Sequence, residues 1–516
     1  MMTSNQIRET FLTFFEGKGH TRVPSAPVAP QDDPTLYFTN AGMNQFKDVF
    51  LGLGSRPYTR AVDTQKCIRV SGKHNDLEEV GVSPWHHTFF EMLGNWSFGD
   101  YFKREAIEWG WEMVTQQFGL EKERLWATVY EGSESEGIDP DEEAESLWHE
   151  MTDLLPGRVI RLPAKDNFWE MGATGPCGPC SEIHYYLGDD LEQQSTDLFL
   201  LDGAEFVEVW NLVFIQYNRD ETGKLHPLPA KHVDTGMGFE RICSLLQKKD
   251  NNYDTDIFRP LIERIGDLTG GDVDGKGQTA SRVVADHVRA LSFAIADGAL
   301  PSNEGRGYVL RRLLRRASRF GRQLGEHEPF MYRLVDQVAA SMGHVFPELL
   351  AKATHVAQVV QAEEESFGNT LDRGLDIFER IAAKGDVSGV DAFQLYDTFG
   401  FPLDLTQLMA RERNLSVDTE GFEEALEQQR QRARAATGSR FQASEGVDDV
   451  IAGEHSRFVG YTQLQTQSPI AHVEATGDGV RVVLAETPFY AESGGQVGDE
   501  GLIQGEDFLI RIDTTV

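Results

Sequence analysis

The 516-residue sequence predicts an α+β protein of about three domains, at roughly 100–200 residues each. Through residue 248, strand-like runs alternate with amphipathic helical ones. Residues 249–438 then carry apolar stripes at helical spacing, and residues 451–516 return to short alternating strands broken by glycine. The expected division is 1–248, a sheet with flanking helices; 249–438, all helical; 439–450, a linker rich in Gly, Ser, Asp and Ala; and 451–516, a β-rich piece too short for a complete barrel.

The first helix places Ile7, Phe11, Phe14 and Phe15 on one face and closes at Gly17 and Gly19. A Pro-rich extended stretch follows over 23–34, and 60–100 reads as strands around a loop. A helix over about 103–118 carries Ile107, Trp111 and Val114; Trp-Ala-Thr-Val-Tyr at 126–130 reads as a strand. The acid-rich run 131–153 reads as a solvated surface insertion. Strands recur around Phe168 and over 207–217. In the helical stretch Val284, Val288, Leu291 and Ile295 form one stripe, and Leu310, Leu313, Leu314 and Ala317 form another. Longer helical patterns cover 347–383 and 422–436.

A net charge of −35 argues, taken alone, against a nucleic-acid partner. Local charge reverses that. Residues 305–325 hold seven arginines (Arg306, Arg311, Arg312, Arg315, Arg316, Arg319 and Arg322) and no acid, an electrostatic footprint for phosphates on a helix whose leucines face the core. No run approaches the ~20 apolar residues of a membrane span, and the N-terminus lacks the apolar region of a signal peptide. Four cysteines in so long a chain exclude a disulfide scaffold and suit a reducing cytoplasm.

The densest chemistry lies at 234–241, Asp-Thr-Gly-Met-Gly-Phe-Glu-Arg, which enters a helix. Its glycines let backbone approach a bulky ligand, and a helix start favours anions. Arg241 adds a forked donor suited to phosphate, and Asp234 a charge that can hold an ammonium. Upstream, Arg69 stands on a strand before a polar loop, and the chain returns through His86, Phe90 and Met92. This reads either as a nucleotide clamp, with Arg69 on a phosphate and the Phe90 ring on a base, or as a charged hairpin with a core Phe. Cys-Gly-Pro-Cys at 177–180 supplies two of the four ligands a structural zinc needs, so it reads as a Gly/Pro-shaped active-site loop.

Together these segments resemble motifs 2 and 3 of the class II aminoacyl-tRNA synthetases, with the 23–34 stretch in the place of motif 1. Within that class the sequence is similar to the alanyl-tRNA synthetase family. Blocks at 39–47 (Thr-Asn-Ala-Gly-Met-Asn-Gln-Phe-Lys), 72–77, 86–94, 174–180, 301–304, 306–312 and 395–402 carry the likeness, in the family's order and along essentially the whole chain. One departure is Ser71, two residues after Arg69, where the wider class usually has Glu.

The resemblance implies a class II antiparallel sheet flanked by helices, then a helical tRNA-recognition domain, then the start of a β-barrel editing domain. It implies activation of alanine by ATP with Mg²⁺, and transfer to tRNA(Ala). Arg69 and Arg241 become the catalytic residues: Arg69 on the α-phosphate and the alanine carboxylate, Arg241 on the γ-phosphate side. His86, Phe90, Met92 and Gly238 complete the ATP site. Arg69, Trp169, Asn211, Val213, Asp234 and Gly236 form the alanine site, Trp169 closing one wall and Val213 facing the methyl. Without the family, Trp169 and Val213 read equally as core residues.

For tRNA, Asn303 and Asp397 are expected to read the acceptor-stem G·U pair, with Arg311, Arg312 and Arg315 on the backbone. Asn303 also reads as a helix cap and Asp397 as a turn residue. A pocket for alanine separates poorly from glycine or serine, so an editing site is expected. The segment 487–496 looks like the beginning of that domain, with its zinc ligands expected beyond Val516. This stretch of chain is then expected to be monomeric and incomplete in editing. The alternative reading is a catalytically silent paralogue that only binds tRNA.

Overall fold

The computed structural model describes residues 1–516 except 31–35, 72–73, 78, 202–204, 412, 443–455, 461–462, 464, 477–478, 490–498, 500, 506–507, 513–514 and 516. Most of the linker at 439–450, most of the 487–496 segment and the end of the Pro-rich stretch therefore lie outside the described residues. The described chain groups into two compact units, Met1–Asp418 and Thr419–Val516.

The first unit is built on a nine-stranded sheet. In chain order its strands are β1 Thr21–Arg22, β2 Arg60–Ile68, β3 Phe89–Phe98, β4 Leu125–Tyr130, β5 Val159–Leu162, β6 Phe168–Glu170, β7 Gly175–Tyr186, β8 Phe206–Arg219 and β9 Leu225–Gly238. They lie in the order β1-β2-β3-β9-β8-β7-β4-β5, with β6 paired to β7 off this path. All pairings are antiparallel except those at the two edges, β1 with β2 and β4 with β5.

The two sheet faces do different jobs because successive side chains alternate. On β9, Val233 and Met237 are fully buried in the main hydrophobic core, while Asp234, Gly236 and Gly238 face a cavity on the other side. The core face is covered by α1 (Ser4–Gly17), which buries Ile7, Phe11 and Phe15 as expected and packs Phe11 edge-on against Trp210. Thr3 caps α1 in a reciprocal box with Gln6. The same helix carries a charge into the core: Arg8 pairs with buried Glu91 at 2.8 Å.

Helix α2 (Lys103–Glu112) matches the helix expected from 103, but its last turns, Met113–Gln117, widen into a π-helix. The acid-rich run differs from its expectation. Within it α3 (Glu142–Met151) buries Ala144, Leu147 and Trp148, and Trp148 donates from Nε1 to Ser181 Oγ at 2.8 Å. Acid density marked the outer face of this helix and hid the apolar inner one.

After β9 come α4 (Phe239–Leu246), α5 (Arg259–Thr269), α6 (Gln278–Ala296), α7 (Gly305–Gln323), α8 (Pro347–Ala382), α9 (Gly389–Phe399) and α10 (Leu403–Arg411). Every α6 residue of the expected stripe is buried, as are the α7 leucines. Helices α4 to α8 share one continuous core with the sheet; Phe89 of β3 stacks on Phe293 of α6 at 4.4 Å.

The second unit holds α11 (Thr419–Gln442) and two hairpins, Ile470–Thr476 with Gly479–Leu484 and Gly501–Gln504 with Leu509–Ile512. Short alternating strands were expected here, and a further short pair, Arg457–Phe458 with Glu486–Thr487, is parallel.

Candidate active site

Four antiparallel strands lay the site out in rows. Across β7, β8, β9 and β3 the register aligns Cys180, Val213, Asp234 and Trp96. One step along, Glu182, Asn211 and Gly236 are aligned. Side chains in such rows share a face. That face lines a cavity of about 690 Å³. All eleven residues expected to bind ATP or alanine line it: Arg69, His86, Phe90, Met92, Trp169, Asn211, Val213, Asp234, Gly236, Gly238 and Arg241. They come from β2–β3, β6, β8, β9 and the start of α4, so no local sequence feature holds them together.

Asp234 is buried and accepts a 2.6 Å hydrogen bond from Trp96 Nε1. Burial pushes its carboxyl up to about 7, against the lowering effect of the Trp96 bond. Trp96 was not singled out beforehand. A side chain on Gly42 or Gly94 would collide with its indole, so those two glycines fix where the ring lies. The signal was there: Phe90, Met92, Gly94 and Trp96 recur at every second residue of one strand. Gly236 has a similar steric cause, since a Cβ there would lie 2.8 Å from Met92 Sδ.

At the other end, Arg241 donates from Nη1 to Glu208 O at 3.0 Å and to Glu208 Oε2 at 3.1 Å. Burial works to raise the Glu208 carboxyl, but Arg241, His184 and Arg69 outweigh it and hold it low. Burial and the neighbouring charge of Glu208 push Glu182 up to about 7. Glu182 also accepts from Asn211 Nδ2 at 3.1 Å. Arg69 donates from Nε to Asn40 O at 3.1 Å, and its guanidinium sits 5.0 Å from the Phe90 ring centroid. Phe90 is therefore a cavity wall already stacked by Arg69. His86 bonds through Nδ1 to Ser83 Oγ at 2.8 Å, and burial and the charge of Arg241 lower its pKa.

The 177–180 segment is a strand, not a loop. Cys177 sits in a cluster with Tyr130 and Phe168, and Cys180 in another with Val213 and Ile215. An odd spacing of three on a strand sends the two thiols to opposite faces, where they cannot share an ion. Burial pushes the Cys177 thiol up to about 12 and Cys180 well above its usual range.

The five residues expected to bind tRNA lie elsewhere. Asn303 and Asp397 are both exposed. Asn303 does not cap α7; Glu304 holds the cap position, and Asn303 Oδ1 instead accepts from Arg311 Nη1. Asp397 lies on α9 rather than in a turn. The arginines of α7 do have compensating acids, supplied by other helices. Arg311 pairs with Glu363 at 2.6 Å, Arg312 with Asp404 at 3.4 Å and Arg322 with Asp372 at 2.9 Å. Arg315 donates to Gly400 O and stacks on Phe367, while Arg316 and Arg319 are buried. A linear scan for acids misses partners some fifty residues away.

The family model for class II (A) tRNA synthetases matches residues 6–516, and the chain belongs to that family. The chain is 55% identical over 529 residues to an alanine–tRNA ligase of Chlorobium phaeobacteroides, covering 100% of this chain and 58% of that protein. Alanine–tRNA ligases of Stenotrophomonas maltophilia and Nitrosomonas europaea are 51% and 49% identical, each over 99% of this chain and 59% of their own length. The chain thus spans somewhat under two thirds of these relatives. Among solved structures, a pyrrolysyl-tRNA synthetase of Desulfitobacterium hafniense superposes over 49% of this chain and 72% of its own, with a TM-score of 0.27 and 11% identity. Apo S. aureus histidyl-tRNA synthetase covers 47% of this chain and 65% of its own, at a TM-score of 0.29 and 8% identity. Family membership rests on the sequence match, not on these loose superpositions.

Proposed function

We propose that the chain activates L-alanine with ATP and transfers the alanyl group to the 3′ end of tRNA(Ala). The observation that carries this reading is the convergence of all eleven ATP- and alanine-assigned residues on one cavity. An alanine carboxylate oxygen attacks the α-phosphorus; that bond forms, the bond to the bridging oxygen of pyrophosphate breaks, and pyrophosphate leaves. Two anions must meet, so the cavity supplies positive charge at fixed positions rather than a nucleophile. Arg69 holds the α-phosphate and the alanine carboxylate, and Arg241 the tail of the triphosphate. Asp234 and Asn211 hold the polar end of alanine, while Trp169 and Val213 close around its methyl. In the second step a terminal ribose hydroxyl attacks the carbonyl carbon, loses its proton and displaces AMP.

Mg²⁺ accompanies ATP in class II synthetases, and the donor set fits it. Glu182 and Glu208 both line the cavity, and the repulsion that helps raise Glu182 is one a divalent cation relieves. Among the described residues no three metal-binding groups cluster, and Glu182 and Glu208 are the side chains that would hold the cation. The cation supplies charge neutralisation on the phosphates.

For tRNA, Asn303 and Asp397 read the G·U pair from the minor groove, where the guanine amine lacks its usual partner. The supporting observation is that α7 reaches both: Arg311 bonds Asn303, and one turn on Arg315 bonds Gly400 just beyond the helix of Asp397. No helix among the described residues is long and apolar enough to cross a membrane, and the four cysteines are free, which agrees with a reducing cytoplasm. Alanine-dependent ATP–pyrophosphate exchange tests activation; a folded sample without exchange sinks it and leaves a tRNA-binding module. Charging that is indifferent to the G·U pair sinks the recognition.

A further inference from the structure

No residue of helix α6 lines the cavity, yet one turn of it reaches Thr88, whose carbonyl pairs with Arg69 N, and the side chain of Glu240 beside Arg241. Asp286 and Arg289, three apart on this helix, are fully buried on one side of it. Asp286 accepts from Thr88 N at 3.0 Å and from Thr88 Oγ1. The carbonyl of the same Thr88 accepts from Arg69 N at 2.9 Å. Arg289 donates from Nη2 to Glu240 Oε1 at 2.7 Å. Glu240 precedes Arg241 in the first turn of α4, and its carboxylate also accepts from Glu91 N at 3.2 Å.

Two histidines complete the Asp286 shell. Arg316 of α7 is only a donor, so its 3.1 Å contact makes His287 Nε2 the acceptor and turns His287 Nδ1–H toward Asp286 at 3.0 Å. Asn252 Nδ2 does the same at His87 Nε2, 2.9 Å away, leaving His87 Nδ1 3.3 Å from Asp286. Asp286 thus accepts from Thr88 and His287, with His87 Nδ1 3.3 Å away; burial works to raise its carboxyl, but these neighbours hold it below the usual range. Arg289 is enclosed by Phe89 and Phe258, at 5.0 and 4.4 Å. Such enclosure leaves its guanidinium few other positions.

We propose that Asp286 and Arg289 are positioning residues for ATP: Asp286 sets Arg69 through Thr88, and Arg289 sets Arg241 through Glu240. The spacing of the two phosphate-binding arginines, which belong to separate segments, is then fixed by a single helical turn. This inference rests on the adenylate reading of the cavity. Through Arg69 the Asp286 branch also bears on the alanine carboxylate, whereas the Arg289 branch bears on the triphosphate alone.

The test uses the 516-residue chain in pyrophosphate exchange, varying ATP and alanine separately, with melting temperature as a control. Arg289→Lys keeps the charge but loses the fork; Glu240→Gln and Thr88→Val each remove one bond of a branch. Arg289→Lys and Glu240→Gln are each expected to lower kcat/KM for ATP about tenfold while KM for alanine stays within about twofold; Thr88→Val is expected to lower kcat/KM for ATP about tenfold and to raise KM for alanine as well, because Arg69 also holds its carboxylate. Arg289→Lys combined with Glu240→Gln should lose no more than the worse single variant, because both cut the same link. Thr88→Val combined with Arg289→Lys should multiply the losses. Equal losses toward ATP and alanine in the Arg289 and Glu240 variants, an unchanged kcat/KM for ATP in Thr88→Val, or a lowered melting temperature without a kinetic change, overturn the proposal. Should an Arg289 variant fail to fold, Thr88→Val still decides the Asp286 branch and Glu240→Gln the other. Absence of exchange in the unmodified chain would instead overturn the reading of the cavity.

Discussion

Alanine affinity should depend on pH through Asp234. Burial raises this carboxyl from its ordinary 3.8 to about 7, and only the ionised form can pair with the alanine ammonium. With a pKa of about 7, the ionised fraction is about 0.9 at pH 8 and about 0.1 at pH 6, so the apparent Kd for alanine rises about tenfold over that interval. Stability moves the other way. A buried carboxyl with a raised pKa stabilises the free protein most below about 4, and that contribution is lost as pH rises through about 7. Added alanine should therefore raise the melting temperature more at pH 8 than at pH 6. Asp234→Asn keeps an acceptor for Trp96 Nε1 but removes the charge. It should weaken alanine binding by about 1.5–3 kcal/mol, or roughly 10–150-fold, at pH 8 and flatten the profile. Glu182 is pushed to about 7 as well and lines the same cavity, so Glu182→Gln is the needed control and should keep the slope. Calorimetric titration of alanine from pH 6 to 8 measures all three. A flat profile in the unmodified chain, or a slope that survives Asp234→Asn and disappears in Glu182→Gln, refutes the reasoning.

Trp96→Phe removes the 2.6 Å donor to Asp234. Its alanine profile should shift to higher pH, because the bond that favours the carboxylate is gone; an unshifted midpoint would count against it. Arg241→Ala should lower kcat/KM for ATP in pyrophosphate exchange by about 10–150-fold, as for a lost charge-assisted bond, with tRNA affinity by filter binding within about twofold. Equal damage to both would contradict the division of roles. Trp148→Ala tests the corrected reading of the acid-rich run. A fully packed Trp there should cost about 3–5 kcal/mol in denaturant unfolding of the first unit, whereas a solvated insertion would lose under about 0.5 kcal/mol.

Much of the fold was legible in the sequence wherever one residue pattern reports one face. The period-2 run through Phe90, Met92 and Trp96, the α1 face of Ile7, Phe11 and Phe15, and the buried stripes of α6 and α7 all follow from side-chain direction in a regular element. The motif at 234–241 announced both its chemistry and its strand-to-helix turn, because glycine, carboxylate and arginine in that spacing are local properties.

Partners across the fold were not legible. Nothing near Arg311 predicts Glu363, nothing near Asp234 predicts Trp96 Nε1, and the acid count around Trp148 concealed that its ring is buried. Ionisation follows the same rule: the sequence specifies that Asp234 is a carboxyl, but only its enclosure among strands moves it to about 7. Periodicity is set by neighbours in the chain, whereas charge pairing and desolvation are set by neighbours in space. The site residues were therefore named by the resemblance that local motifs carry, and their working geometry by neighbours in space.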